Sequence, residues 1–323
     1  MQTHPYAALN RRQLLTRAAK AAGLGAAATL LPLSLDKDRS EGAAAGSPFK
    51  YSLCNETFGD WRFEKAFAMI AECGYRGVEI APYTINEYVT KIPAGRRAEV
   101  RRLAERNGLQ VVGLHWLLAK TKGFHLTTAD SDVRRRTAGY LGELARFCAD
   151  LGGRIMVLGS PLQRNLAPGM SLEQAMQNAA ETLRLAMPEC EKAGATIALE
   201  PLAPVDTNFM TTAAQGAKLV GLVDSPCCRL HLDCRAMASE SIPIPELLHR
   251  YRKLLVHFHA NDPNRQGPGF GKLDFLPIMQ ALAGINYRGW VSVEVFDYSP
   301  GPERLSRESI AYLRKCAAER RSP

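Results

Sequence analysis

The sequence predicts a single closed (β/α)8 barrel, and three observations carry that expectation. From residue 51 onward, eight short apolar runs alternate with eight longer amphipathic runs, which calls for parallel pairing, because each crossover between parallel strands needs a helix. The eight units occupy roughly 270 residues, the usual span of such a barrel. Neither a GxGxxG turn after the first strand nor a P-loop occurs in the chain, so an open doubly wound sheet is the weaker alternative.

In order, YSLC (51–54) precedes the amphipathic run WRFEKAFAMIAECG, and GVEIA (77–81) precedes GRRAEVRRLAERNG. VVGLH (111–115) leads into DVRRRTAGYLGELARFCADLGG, and RIMVLG (154–159) into LEQAMQNAAETLRLAMPECEKAG. The last four strands are TIALE (196–200), RLHLD (229–233), LVHFH (255–259) and WVSVEVF (290–296). Each is followed in turn by TTAAQGAKLVGLV, IPELLHRYRKL, LDFLPIMQALAG or PERLSRESIAYLRKCAAER. Gly74, Gly108 and Gly194 stand where those helices should stop, since glycine adopts the left-handed C-terminal conformation without strain. Pro188 predicts a kink or break in the fourth helix, because it lacks the N–H a helix interior needs.

Residues 1–45 read as a twin-arginine export signal and linker, and 46–323 as the catalytic barrel. Arg11 and Arg12 precede the small-residue apolar run AAGLGAAATLLPLSL, and GAAAG offers a cleavage site near Ala45. The expected location is therefore periplasmic, with no stable membrane insertion once the signal is removed. Formal net charge is +9, of which the leader carries +3. The rest lies along helical runs such as RRAEVRR, which read as solvated faces. No basic patch interleaved with aromatics suggests nucleic acid. The eight cysteines form no CxxC pair, so buried free thiols are expected rather than a disulfide or zinc framework.

Side chains of a barrel strand alternate between the helices and the interior. If Ile197 and Leu199 face the helices, Glu200 faces in. By the same alternation Asp233 follows His231 inward on the sixth strand, His259 follows His257 on the seventh, and Glu294 follows Ser292 on the eighth. Four consecutive strands thus end their inward rows in metal-ligand types at the C-terminal mouth, where such barrels place their active sites. Burying three carboxylates and an imidazole together without a cation is costly. This oxygen-rich set suits one Mn²⁺, Mg²⁺ or Co²⁺ ion better than Zn²⁺. His257 and His231, one layer below, read as hydrogen-bonded core histidines. His115, ending the third strand, should reach the mouth and touch substrate, with Trp116 as a wall. Glu79 is inward and is expected near the substrate.

ALEPL, HLD, HFHANDPNRQGPGFG and GWVSVEVF resemble the sugar phosphate isomerase/epimerase group of xylose isomerase-like TIM barrels, which includes the ketose 3-epimerases and hydroxypyruvate isomerase. The resemblance extends over nearly everything from Tyr51 to Arg314. It implies that Glu200, Asp233, His259 and Glu294 hold the divalent metal, with the two glutamates also serving as the acid/base pair. It places the substrate-binding carboxylate on Asp206, shorter than the usual Glu, and the substrate-binding arginine on Arg265. One departure stands out. Where the epimerases carry a substrate-contacting His three residues after the Asp, this chain has Ala236.

The expected activity is proton transfer beside a carbonyl of a sugar or sugar derivative. A divalent Lewis acid would stabilise the enediolate, while Glu200 and Glu294 move the proton. Return to the opposite face gives an epimerase, and return to the adjacent carbon gives an isomerase. The alternatives are a metal-dependent lyase or hydratase on a keto-sugar or glycoside, and a non-catalytic exported sugar-binding barrel. A homo-oligomer is compatible with the sequence, but no stretch names an interface.

Overall fold

The structure is a computed structural model and describes residues 48–319. The leader and linker expected over residues 1–45 lie outside the described residues. Eight strands form a closed, all-parallel barrel in sequence order. They are β1 (Lys50–Cys54), β2 (Gly77–Ile80), β3 (Gln110–Leu114), β4 (Ile155–Leu158), β5 (Thr196–Leu199), β6 (Cys228–Asp233), β7 (Leu255–Ala260) and β8 (Trp290–Val293). The crossovers run through α1 (Phe63–Glu72), α2 (Ala94–Arg106), α3 (Ser131–Asp150), α4 (Leu172–Ala193), α5 (Ala213–Val223), a short α6 (Cys234–Met237), α7 (Ile244–Tyr251) and α8 (Leu276–Gly284), and α9 (Pro302–Glu319) follows β8. The expected (β/α)8 architecture is present, with every strand within two or three residues of its expected bounds.

Local chemistry explains the helix ends. Asp130 accepts hydrogen bonds from the N–H groups of Asp132 and Val133 at the start of α3, and Ser171 and Thr212 cap α4 and α5 in the same way. Gly194 takes a left-handed φ of 65° at the end of α4, a conformation that costs other residues far more. Of the kink or break expected at Pro188, the break does not occur, because α4 continues through it. Pro188 lies on the exposed face, so the carbonyl of Arg184, deprived of its N–H partner, is open to water. Buried Leu183, Met187 and Cys190 anchor the helix on the opposite side.

The apolar core lies between barrel and helices. Val78, Ile80, Leu199, Leu230, Phe258 and Val291 face it from the strands, and Phe67, Ile70, Leu144, Leu183 and Leu313 meet them from the helices, all fully buried. The barrel interior is different. Ser52, Glu79, His231, His257 and Ser292 are buried there, where branched aliphatics usually dominate. Register irregularities fall between Val78 and Glu79 and between Leu230 and His231, so two of these polar residues each follow a local shift of the kind that re-aims side chains. All eight cysteines are free, and all but half-buried Cys227 are buried. Among the described residues no helix is long and apolar enough to cross a membrane.

Candidate active site at the barrel mouth

Glu200 directly follows β5, Asp233 and His259 lie at the ends of β6 and β7, and Glu294 directly follows β8. All four are buried. Glu200, Asp233, His259 and also His231 each offer a ligand atom within 4.8 Å of the others. Glu294 Oε2 lies 2.9 Å from His259 Nδ1. The four residues expected at the centre therefore converge, from the alternation that makes each the last inward side chain of its strand.

A layer beneath holds them. Glu79 reaches His259 Nε2 at 3.2 Å and His257 Nε2 at 2.7 Å, so one carboxylate orients two imidazoles. With both oxygens engaged and no exposure, Glu79 is absent from the wall of the cavity above the centre. The position near substrate expected of Glu79 is thus replaced by one beneath the four converging residues. Asp233 accepts from the Ala236 N–H at 2.8 Å and from Asn261 Nδ2 at 2.5 Å. Trp116 Nε1 donates to Glu294 Oε1 at 2.8 Å. Gly159 leaves room for Glu200, since a Cβ there would collide with Glu200 Oε2. His231 differs from the expected hydrogen-bonded core residue. Its nearest carboxylate, on Glu200, is 3.6 Å away, and neither ring nitrogen has a hydrogen-bond partner among the described residues.

Crowding of the carboxylates sets the charge balance of this centre. Burial, then the charges of Glu294 and Asp233, hold the Glu200 carboxyl well above its ordinary pKa. Burial and the Glu294 charge push Asp233 up to about 6. Glu294 goes the other way: burial raises it, but the charge and hydrogen bond of His259 outweigh that. Burial disfavours a charged His259, yet the Glu294 and Glu79 carboxylates together raise it. Three crowded carboxylates, two of them resisting ionisation, with an imidazole and an unpartnered ring nitrogen beside them, form a donor set that fits one hard divalent cation.

A cavity of about 310 Å³ opens above this centre. It is lined by Glu200, Glu294, His115, Trp116, Asp206 and Arg265, together with Arg235, Lys120 and Phe296. Trp116, Lys120, Ser160 and Arg265, all on its wall, have positive φ despite carrying side chains. Such strain persists where surrounding structure enforces it, and it clusters at functional sites. Asp206 is held bidentately by Arg235, at 2.6 and 3.1 Å. His115 lies 2.5 Å from Glu56 Oε2.

Four participants were not expected from sequence. Asn261 lies two residues beyond His259, so the strand alternation, carried one step further, would have found it, whereas Arg235 lies in the short helix α6, where that alternation does not run. Glu56 lies two beyond Cys54 in a short 3-10 turn (Asn55–Phe58). Arg164, buried and donating to the Glu200 carbonyl at 2.7 Å, comes from an irregular loop with no periodic signal.

Comparison with known proteins identifies the barrel's family. The family model for the xylose isomerase-like TIM barrel matches residues 67–316. A probable ketose 3-epimerase of Synechocystis sp. is 26% identical over 279 residues, spanning 78% of this chain and 90% of that one. A 3-dehydro-D-guloside 4-epimerase of Escherichia coli is 26% identical over 276 residues, spanning 83% of this chain and all of the relative. The crystal structure of D-psicose 3-epimerase from Clostridium cellulolyticum superposes with a TM-score of 0.74 at 20% identity, covering 83% of this chain and 99% of that one. These relatives are named as sugar epimerases, enzymes of the isomerase class. The chain belongs to the xylose isomerase-like TIM barrel family.

Proposed function

We propose that this protein is a divalent-metal-dependent epimerase of a keto-sugar or sugar derivative, with Glu200 and Glu294 as its acid/base pair. The observation that carries the reading is the entry of these two carboxylates into one cavity from β5 and β8, with Asp233 and His259 between them. A binding protein has no need of two bases flanking one position. Glu200, Asp233, His259 and Glu294 would hold the cation. When bound, it would polarise a substrate carbonyl and so acidify the adjacent C–H. One glutamate removes that proton and the other returns one from the opposite side, inverting the carbon. Trp116 fixes the orientation of Glu294, the Ala236 N–H and Asn261 that of Asp233, and Glu79 that of His259. Arg265 and the Arg235–Asp206 pair supply polar contacts to substrate hydroxyls, and Trp116 and Phe296 shield the centre from water. The names of the relatives, a ketose 3-epimerase and a glycoside 4-epimerase, support inversion beside a carbonyl.

Glu294→Gln separates this reading from a sugar-binding barrel. Sugar binding, followed by calorimetry on the Mn²⁺-loaded protein, is expected to persist, while exchange of the substrate C–H with solvent falls by at least about 100-fold. Exchange at the wild-type rate in this variant would remove Glu294 from the acid/base pair.

A further inference from the structure

Beside the catalytic cavity lies a second, wider cleft of about 770 Å³ over the mouths of β1, β2 and β8. Its wall includes the half-buried aromatics Trp61 and Tyr83, and Tyr298, which is 39% exposed. Three links join it to the first cavity. Lys120 lines both. Tyr83 packs on Trp116 with ring centroids 5.9 Å apart. Glu56, on the wall of the cleft, bonds His115 on the wall of the cavity.

Two oxygens on this wall are unexplained. Glu56 Oε1 and Thr57 Oγ1 are buried and have no hydrogen-bond partner among the described residues. Buried polar atoms are normally satisfied, so an orphan pair beside an open cleft marks where a ligand donor belongs. The other Glu56 oxygen is already committed to His115, which leaves Oε1 as an acceptor for a hydroxyl. Aromatic walls with hydroxyl acceptors between them match a sugar ring, which presents C–H faces to aromatics and O–H groups to carboxylates.

Resting on the proposed epimerase reading, we infer that the substrate is a keto-glycoside with a second glycosyl ring, and that this ring occupies the aromatic cleft while the keto-sugar sits over Glu200 and Glu294. The second ring is remote from the reacting carbon, so its binding energy can be used to position the first ring, and truncation should lower kcat as well as raise KM.

The test uses the full-length Mn²⁺-loaded protein and two probes, methyl 3-dehydro-D-glucoside and 3-dehydro-cellobiose, with solvent deuterium uptake as the readout. The disaccharide is expected to exceed the single ring at least tenfold in kcat/KM, with a higher kcat. That ratio should collapse toward one in Trp61→Ala and in Tyr298→Ala; the latter removes an exposed side chain and leaves folding intact. A wild-type ratio near one, or a ratio unmoved by both variants, overturns the second-ring site while the epimerase reading stands. If free ketoses exchange but neither probe does, the keto-glycoside inference falls while the epimerase reading stands. If nothing exchanges, the epimerase reading falls, and calorimetry with cellobiose against glucose decides the cleft. Tenfold tighter cellobiose binding that is lost in Trp61→Ala keeps it, and equal or absent binding overturns it.

Discussion

Asp233 shows how much each side chain at the mouth is set by its neighbours. Its pKa is pushed up to about 6 from an ordinary 3.8, first by burial and then by the Glu294 charge. A raised carboxyl favours the folded state only while protonated, so in the metal-free protein this group loses stability as pH rises from about 4 through about 6. Asp233→Asn is therefore expected to stabilise the metal-free protein relative to wild type, by an amount that grows across that interval. Denaturant melts at several pH values measure it, and a difference that is flat or shrinks with pH would contradict the charge crowding. Glu79 offers a second prediction. As the shared partner of His257 and His259 it orients a proposed metal ligand without touching the cavity, so Glu79→Gln should weaken Mn²⁺ binding by about 10- to 100-fold with the fold retained. Chelator competition measures this, and unchanged affinity would reduce Glu79 to a packing residue.

At the level of elements, the strands were legible because period-two alternation and glycine stops act locally, and this placed Glu200, Asp233, His259 and Glu294 before any tertiary fact was known. What was not legible depended on turns. Glu56 sits in a 3-10 turn and Arg164 in an irregular loop, where no repeat says which way a side chain points. The sequence predicts a hydrogen-bonded His231 because it cannot show that the nearest carboxylate stops 3.6 Å away. Whether Pro188 breaks α4 depends on which face of the helix it occupies, which the sequence does not mark, and it occupies the exposed one. Replacing it with Ala restores an N–H to the helix interior, so thermal melts should show stabilisation of up to about 3 kcal/mol. Destabilisation would mean that the proline sets a bend that packing requires. On the opposite side of the ledger, Phe67 on α1 is fully buried, and Phe67→Ala should cost about 3–5 kcal/mol.

Across the whole molecule, an apolar shell between barrel and helices carries the stability, while the barrel interior holds carboxylates and imidazoles. Strained backbone at Trp116, Lys120, Ser160 and Arg265 surrounds the same cavity, and such conformations persist only where the surrounding structure enforces them. A cation bound there acts on the entire fold by mass action. At 100-fold over its Kd it adds about 2.7 kcal/mol, and chelation should lower Tm accordingly. The most direct measurement is deuterium uptake. The Mn²⁺-loaded protein is incubated in D₂O with keto-sugars and keto-glycosides, and the substrate protons are followed by NMR with and without chelator. Uptake at the carbon beside the carbonyl, accompanied by the inverted product and lost on chelation, is the expected result. Tight metal and sugar binding with no uptake from any substrate would contradict proton transfer between Glu200 and Glu294 and leave a binding protein.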